Sequence, residues 1–148
     1  MLYIKEIKMR KYLLLLAVLV FVLCPVLADA AAKADTKYIV YYFRTTGRCY
    51  SCVQMEKMTK ETIEKDFAKD VKSGIMEFRS VDVEIPDNKH FVKDYGLYTK
   101  SVIISEIKSG KEVRWKNLDQ IWRKLGNKTE FSNYISQETR DFMKGAKK

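Results

Sequence analysis

Two cysteines separated by two residues, Cys49 and Cys52, are the side chains of this chain best suited to chemistry. An apolar run at residues 38–43 ends shortly before them, and apolar residues at helical spacing begin shortly after them. This context predicts that Cys49 lies at the N-terminus of a helix, where unpaired backbone N–H groups and the positive end of the helix dipole favour a thiolate. A stabilised thiolate beside a second cysteine can carry out thiol–disulfide exchange.

A strand and a helix must position the two cysteines. Residues 38–43 are apolar throughout, which predicts a strand that is covered on both faces. After Cys52, apolar residues recur at helical spacing until Ser73-Gly74, where the helix is predicted to end. The residues of this stripe are Met55, Met58, Ile63, Phe67 and Val71. We interpret the two methionines as core residues rather than as soft metal ligands.

A second strand, a short helix and a hairpin follow along the chain. Residues 75–83 alternate in the manner of a strand, and Pro86 opens a short helix that closes at Gly96. Residues 102–107 and 112–115, joined by the turn at Ser109-Gly110, predict a β-hairpin.

Two helices are predicted after the hairpin, because Asn117 precedes Gln120 and Asn127 precedes Glu130 in a capping-box pattern. Three aromatic residues could belong either to the core or to a contact surface, and their periodic spacing favours the core: Trp115, Trp122 and Tyr134. The complete order is strand, helix, strand, helix, hairpin and two helices. It predicts one α/β domain whose central mixed sheet is flanked by helices.

The first thirty residues have the features of a secretory signal peptide. A basic segment precedes the apolar stretch at residues 12–23, and Ala28-Asp29-Ala30 offers small residues at the two positions that a signal peptidase reads. The stretch is short for a membrane span, which needs about twenty residues. We therefore predict a signal peptide at residues 1–30, a tether at 31–36 and a domain at 37–148. A leader that is not cleaved would leave the protein anchored to the membrane.

Composition and cysteine usage narrow the class of protein. The chain carries a formal net charge of +9, but acidic and basic residues are interspersed, and no basic run interleaves with aromatic residues as in a nucleic-acid groove. Nucleic-acid binding is therefore not expected. The third cysteine, Cys24, lies in the leader, so the mature chain would keep only Cys49 and Cys52. Two thiols exported from the reducing cytoplasm form a periplasmic or extracytoplasmic redox pair.

The chain resembles the thioredoxin superfamily over roughly residues 37–123. The resemblance rests on the strand before Cys49, the helix after Cys52, the passage from Tyr95-Gly96-Leu97 into the next strand, and the hairpin turn. More narrowly, the chain is similar to small exported thioredoxin-like proteins labelled ArsF. The segments that carry this narrower resemblance are residues 48–52, 95–101 and 112–118. The resemblance implies a thioredoxin-like fold.

The resemblance also implies roles for individual residues. Cys49 is expected to be the exposed nucleophile and Cys52 the buried resolving thiol, and their redox-active disulfide replaces any bound cofactor. We expect the residues around them to tune the thiolate or to form the substrate groove: Arg48, Tyr50, Ser51, Lys100 and Ser101. No metal ligand is predicted.

Two departures from the superfamily pattern concern the surroundings of the cysteines. Residues 38–43 lack the buried aspartate that helps to move protons at the second cysteine. Ser101 occupies the position of the superfamily's cis-proline, since the only prolines are Pro25 and Pro86. A cis bond before a residue other than proline costs about 2.5–4 kcal/mol, so we expect a trans bond at Ser101.

Three functions remain open from the sequence. We favour an exported thiol–disulfide oxidoreductase that reduces protein or small-molecule disulfides. The direction is reduction because Tyr50-Ser51 provides no histidine to stabilise reduced Cys49. The partners of this oxidoreductase would be protein thiols and disulfides, with a membrane protein as one candidate electron donor. The alternative is a thiolate module that binds copper, zinc or arsenic, although two thiols and His90 do not complete a closed zinc site. A purely structural disulfide would contribute only about 2 kcal/mol across so short a loop.

Overall fold

Four strands form one mixed sheet in the computed structural model, which describes residues 36–145. They are β1 (Thr36–Arg44), β2 (Met76–Asp82), β3 (Ser101–Lys108) and β4 (Lys111–Asn117), in the order β2-β1-β3-β4. Strand β1 pairs in parallel with β2 and antiparallel with β3, and β3 pairs antiparallel with β4. The predicted leader and residues 31–35 of the predicted tether lie outside the described residues.

Within the described residues, five α-helices accompany the sheet. They are α1 (Tyr50–Asp66), α2 (Ala68–Lys72), α3 (His90–Asp94), α4 (Ile121–Lys124) and α5 (Lys128–Gly145), with a 3₁₀ turn at Pro86–Asn88. None of the helices in residues 36–145 is long and apolar enough to cross a membrane. The parallel β1–α1–β2 unit followed by an antiparallel hairpin is the predicted α/β, thioredoxin-like fold, with the sheet flanked by helices.

The central strand β1 is buried on both faces, as its continuous apolar sequence predicted. On one face, Tyr38, Val40 and Tyr42 pack against the buried sides of α1 and α5. On the other face, Ile39, Tyr41 and Phe43 pack against Tyr95 and the half-buried Phe91. The predicted core positions of Met55 and Met58 are confirmed, with 0% and 5% exposure.

The helix after the cysteines is shorter than predicted. It was expected to run to Ser73-Gly74, but α1 ends at Asp66 and Phe67 leaves the helical region with φ −121° and ψ 28°. This turn keeps the Phe67 ring in the core, whereas α2 contributes no buried residue. The predicted single helix is therefore two helices, α1 and α2, that meet at Phe67.

The predicted cap at Asn117 is wrong, and the predicted cap at Asn127 is confirmed. Asn117 is the last residue of β4 and pairs with Ile103, so the ladder to β3 occupies the position where a helix was expected to start. Helix α4 follows Gln120 without a side-chain cap. By contrast, the Glu130 N–H donates to Asn127 Oδ1 over 3.1 Å at the start of α5.

Candidate functional site

Cys49 and Cys52 form a disulfide at the start of α1. Cys49 is the N-cap residue and is exposed, whereas Cys52 is only 3% exposed. The Cys52 backbone N–H donates to Cys49 Sγ over 3.1 Å. One N–H of the first helical turn therefore faces the outer sulfur, where it and the helix dipole favour a thiolate after reduction. The roles of nucleophile and resolving thiol remain predictions.

The loop between β1 and the disulfide is tied to the end of β2. Arg44 Nη1 donates to Asp82 Oδ2 over 2.8 Å, and Thr46 Oγ1 donates to the same oxygen over 2.9 Å. The Thr46 backbone N–H donates to Glu84 Oε2 over 2.8 Å. Burial opposes ionisation of Asp82, but hydrogen bonds from the Glu84 N–H, Thr46 and Arg44 outweigh it and lower the pKa of this carboxyl. These bonds fix the direction in which the chain enters α1.

Tyr42 lies directly beneath the buried cysteine. Its ring is completely buried, and its Oη donates to the Cys52 carbonyl oxygen over 2.9 Å. Burial, together with the negative charge of Glu56, raises the pKa of Tyr42 to about 12. Strand β1 thus presents a neutral hydroxyl to α1, on the strand where the resemblance implied a carboxylate. Sequence reasoning treated Tyr42 only as an apolar strand residue, although its polar tip signalled a need for a buried partner.

Replacing Tyr42 by phenylalanine is expected to lower the free energy of unfolding by about 1 kcal/mol at neutral pH, because one buried hydrogen bond is lost. The pH dependence should also change. Since the pKa of Tyr42 is about 12 in the folded protein and about 10 in an unfolded chain, its contribution is complete below pH 10 and lost as the pH rises towards 12. Urea unfolding of the oxidised protein between pH 7 and 12 measures both effects.

Tyr98→Phe is the matched control for this comparison, because Tyr98 is 90% exposed. It should leave the neutral stability unchanged within about 0.5 kcal/mol. An alkaline loss of stability that is equally steep in Tyr42→Phe and in the unmodified protein would show that Tyr42 does not contribute to it.

The two arginines near the disulfide are both paired with carboxylates. Arg48, which precedes Cys49, forms an ion pair with Glu56 one turn after Cys52, and Arg44 pairs with Asp82. The Glu56 carboxylate therefore offsets the positive charge of Arg48 near Cys49, and the tuning of the thiolate by Arg48 stays a prediction. The sequence alone could not assign Glu56 and Asp82 as the partners of these arginines, because both pairs depend on the folded structure.

Tyr50 and Ser51, the two residues between the cysteines, border a cavity of about 530 Å³. Tyr50 is 80% exposed, and Ser51 is half-buried. Across the cavity lie Trp122 of α4 and Leu125, which follows α4. The prediction that Trp122 belongs to the core is wrong, since this side chain is 39% exposed. Helix α4 has only four residues, and Ile121 is the one that it buries.

Of the other two aromatic residues predicted to be core, Trp115 departs from that prediction, whereas Tyr134 packs against the core without being fully buried. Trp115 is 42% exposed because it lies on the edge strand β4, and Tyr134 is half-buried. The Tyr134 hydroxyl lies 3.4 Å from Asp119 Oδ1, so its polar end reaches the surface. Regular spacing identified each residue as part of the apolar face of its own strand or helix. It did not show how deeply that face is covered.

Lys100 and Ser101 lie where β3 begins, beside the end of β1. Ser101 is buried, pairs with Phe43, and donates from Oγ to the Thr99 carbonyl over 2.9 Å. The Lys100 carbonyl accepts a hydrogen bond from Trp122 Nε1 over 3.0 Å. No peptide bond in residues 36–145 is cis, so the predicted trans bond at Ser101 is confirmed. Neither side chain hydrogen-bonds to a cysteine within that range.

A larger cavity, of about 610 Å³, lies between the loop that follows β1 and the segment that precedes β3. Its walls include Phe43, Arg44, Val92, Leu97 and Lys100, and it contains no residue of the cysteine motif. The smaller cavity, by contrast, is lined by Tyr50 and Ser51, the two residues that connect the cysteines.

His90, the only histidine, lies on α3 and has its Nδ1 2.8 Å from Asp94 Oδ2. Within the described part of the chain, no three side chains of histidine, cysteine, aspartate or glutamate are grouped so that they could hold a metal ion. The groups that a ligand or substrate would meet at the disulfide are thus two sulfur atoms and neighbouring backbone N–H donors.

No protein-family model matches the chain, and no curated protein matches it. Solved thioredoxins are similar to it. That of Fasciola hepatica is 21% identical, with a TM-score of 0.40, over 75% of this chain and 89% of its own. The reduced Schistosoma mansoni thioredoxin pre-protein is 22% identical, with a TM-score of 0.34, over 61% and 74% of the two chains. That of Malassezia sympodialis is 17% identical, with a TM-score of 0.37, over 65% and 78%. These low identities and TM-scores leave the function to be argued from the disulfide and its surroundings.

Proposed function

We propose that this chain is a thiol–disulfide oxidoreductase that reduces disulfides with its Cys49–Cys52 pair. The observation that carries the proposal is the asymmetry of the pair: an exposed cysteine caps α1, and its disulfide partner is buried one turn inside the helix. An exposed sulfur that faces helical N–H groups can attack a substrate. A buried sulfur within bonding distance can then displace that substrate.

The reaction consumes the reduced pair. The Cys49 thiolate attacks one sulfur of the substrate disulfide, the substrate S–S bond breaks, and the other substrate sulfur leaves as a thiolate that takes up a proton. Cys52 then loses its proton and attacks Cys49, which releases the second substrate thiol and forms the Cys49–Cys52 disulfide. Two electrons pass from the pair to the substrate, and an external dithiol must restore them.

Several neighbours support this use of the pair. The Cys52 N–H already faces Cys49 Sγ, so a negative charge on that sulfur needs no rearrangement of the backbone. Tyr42 holds the Cys52 carbonyl from below. Arg48, Tyr50, Ser51, Lys100 and Ser101 complete the proposed site as thiolate-tuning or groove residues.

The proposal extends to location and partners. The leader pattern supports export to a periplasmic or extracytoplasmic space, with residues 1–30 removed, residues 31–36 as a tether and the domain at 37–148. The substrates would be protein disulfides, a membrane protein is one candidate electron donor, and the narrower likeness to proteins labelled ArsF belongs to this proposal. N-terminal sequencing of exported protein should begin at Ala31, and an intact leader would contradict cleavage.

A redox titration of the full chain against glutathione and dithiothreitol buffers tests the proposal. We expect a reversible two-electron couple near the thioredoxin value of about −270 mV, which fits a reductase. A couple near about −120 to −180 mV would reverse the direction of electron flow. The absence of a reversible couple, together with stoichiometric thiolate-bound metal, would overturn the proposal in favour of a binding module.

A further inference from the structure

We infer that Trp122 has two roles, as a positioning residue and as a specificity residue. Its indole N–H fixes the start of β3, and its ring selects substrates with an apolar side chain next to the reactive cysteine. The inference rests on the proposed disulfide reduction and deepens it by assigning a class of polypeptide substrate. A hydrogen bond supports the positioning role, and the place of the ring in a cavity wall supports the specificity role.

The hydrogen bond joins α4 to the start of β3. Trp122 Nε1 donates to the Lys100 carbonyl over 3.0 Å, across 22 residues of sequence. Lys100 immediately precedes Ser101, which pairs with Phe43 at the end of β1. Buried Ile121 anchors α4 to the core, so the indole is held from both sides. The bond therefore restrains a segment that has no proline to stiffen it.

The cavity wall places the same ring opposite the two residues that connect the cysteines. The cavity of about 530 Å³ lies between Tyr50 and the ring of Trp122, and Met58, which is 5% exposed, lines it. Because Tyr50 directly follows Cys49, a substrate whose sulfur meets Cys49 would place a neighbouring side chain in this cavity. The cavity thus shares two residues, Tyr50 and Ser51, with the cysteine motif.

The charges around the cavity favour an uncharged occupant. The charged residue on its wall is Lys128, and its Nζ is paired with Glu61 Oε2 over 3.0 Å. The remaining surface comes from two aromatic rings, apolar side chains, and the polar Ser51 and Gln54. An aromatic or aliphatic side chain fits this lining, and only a polypeptide carries such a side chain and a disulfide sulfur one residue apart.

The chain contains a matched control for Trp122. Its only other tryptophan, Trp115, has a similar exposure of 42% but lies on β4, where its ring meets Tyr95 edge-on at 5.2 Å. Trp115 is not part of the cavity beside Tyr50. Substituting either tryptophan removes the same indole, so only the location differs.

The first test compares two cyclic disulfide peptides that differ only in having phenylalanine or serine beside the reactive cysteine. The full chain should show a higher kcat/KM for the phenylalanine peptide, by about two- to tenfold. Trp122→Ala should abolish this preference through KM. Trp122→Phe should keep most of the preference but lower kcat/KM for both peptides alike, because the N–H bond to Lys100 is lost. Trp115→Ala should keep the preference, and its loss there would contradict the inference.

The second test does not depend on turnover. In Trp115→Phe, Trp122 is the only tryptophan. Its fluorescence can be followed while the oxidised protein is titrated with the same peptides carrying serine in place of cysteine. The phenylalanine peptide should shift the emission of Trp122 at concentrations at which the serine peptide does not. Equal responses would overturn the inference. If the shift is selective but the protein reduces neither disulfide peptide, the cavity beside Tyr50 binds the apolar side chain and the proposed function is rejected.

Discussion

Cys49→Ser is expected to abolish the dithiothreitol-driven reduction of insulin, whereas Cys52→Ser is expected to accumulate a mixed disulfide with the substrate. Cys49 is the exposed N-cap of α1, so its removal eliminates the sulfur that can reach a substrate. Cys52 is 3% exposed and is bonded to Cys49, so its removal leaves the first attack possible but blocks release. Turnover measured by insulin precipitation and adducts measured by intact mass distinguish the two outcomes.

The third cysteine provides the control for this experiment. Cys24→Ser is the same chemical change outside the described residues, and it should retain full turnover. Both active-site variants are best made in that background, since any adduct then reports on a single thiol. Retained turnover in Cys49→Ser would remove the proposed nucleophile. If Cys52→Ser yielded no adduct under mild oxidation, the resolving role would fail instead.

The fold could be predicted largely because its signals are local and periodic. The apolar run of β1 and the turn at Ser109-Gly110 follow from period and turn chemistry alone. The position of Cys49 at a helix start follows in the same way, since a strand, a short loop and a helical pattern succeed one another. The wrong predictions concern the ends of elements, at Phe67 and Asn117. There, packing or pairing between strands competes with the local preference for helix.

The site was predicted less completely, because its remaining parts depend on contacts between distant residues. Tyr42 and Cys52 are ten residues apart, and Trp122 and Lys100 are 22 apart. Neither bond follows from spacing. Periodicity assigned Trp122 to an apolar face, but the depth of a side chain depends on which elements cover that face. Helix α4 proved too short to bury it.

A buried ion pair at the other end of the sheet predicts the largest effect on stability. Glu106 of β3 is 0% exposed, and its carboxylate pairs with Arg114 of β4 and lies 3.0 Å from Lys108 Nζ. Arg114 also donates from Nη2 to the Phe142 carbonyl over 2.5 Å, and its guanidinium lies 3.8 Å from the centre of the Phe142 ring. Arg114 thus joins β3, β4 and the end of α5.

Arg114→Met is expected to lower the free energy of unfolding by about 3–5 kcal/mol, because it leaves a buried carboxylate without its main partner. Glu106→Gln combined with Arg114→Met should cost less than the sum of the two single changes, since the double variant removes the unpaired charge as well. Urea unfolding at neutral pH measures all three variants. Lys116→Met is the control, because Lys116 lies on the same strand in an exposed pair with Glu138, for which we expect at most about 1 kcal/mol.

The same variants test whether stability and redox chemistry are independent in this fold. Glu106 lies five residues along β3 from Ser101, which corresponds to about 17 Å of strand. At that distance the ion pair should not change the midpoint potential of the Cys49–Cys52 couple, even where the unfolding free energy falls by several kcal/mol. A loss of stability no greater in Arg114→Met than in Lys116→Met would mean that Lys108 alone satisfies Glu106. A shifted potential would mean that the two ends of the sheet are coupled.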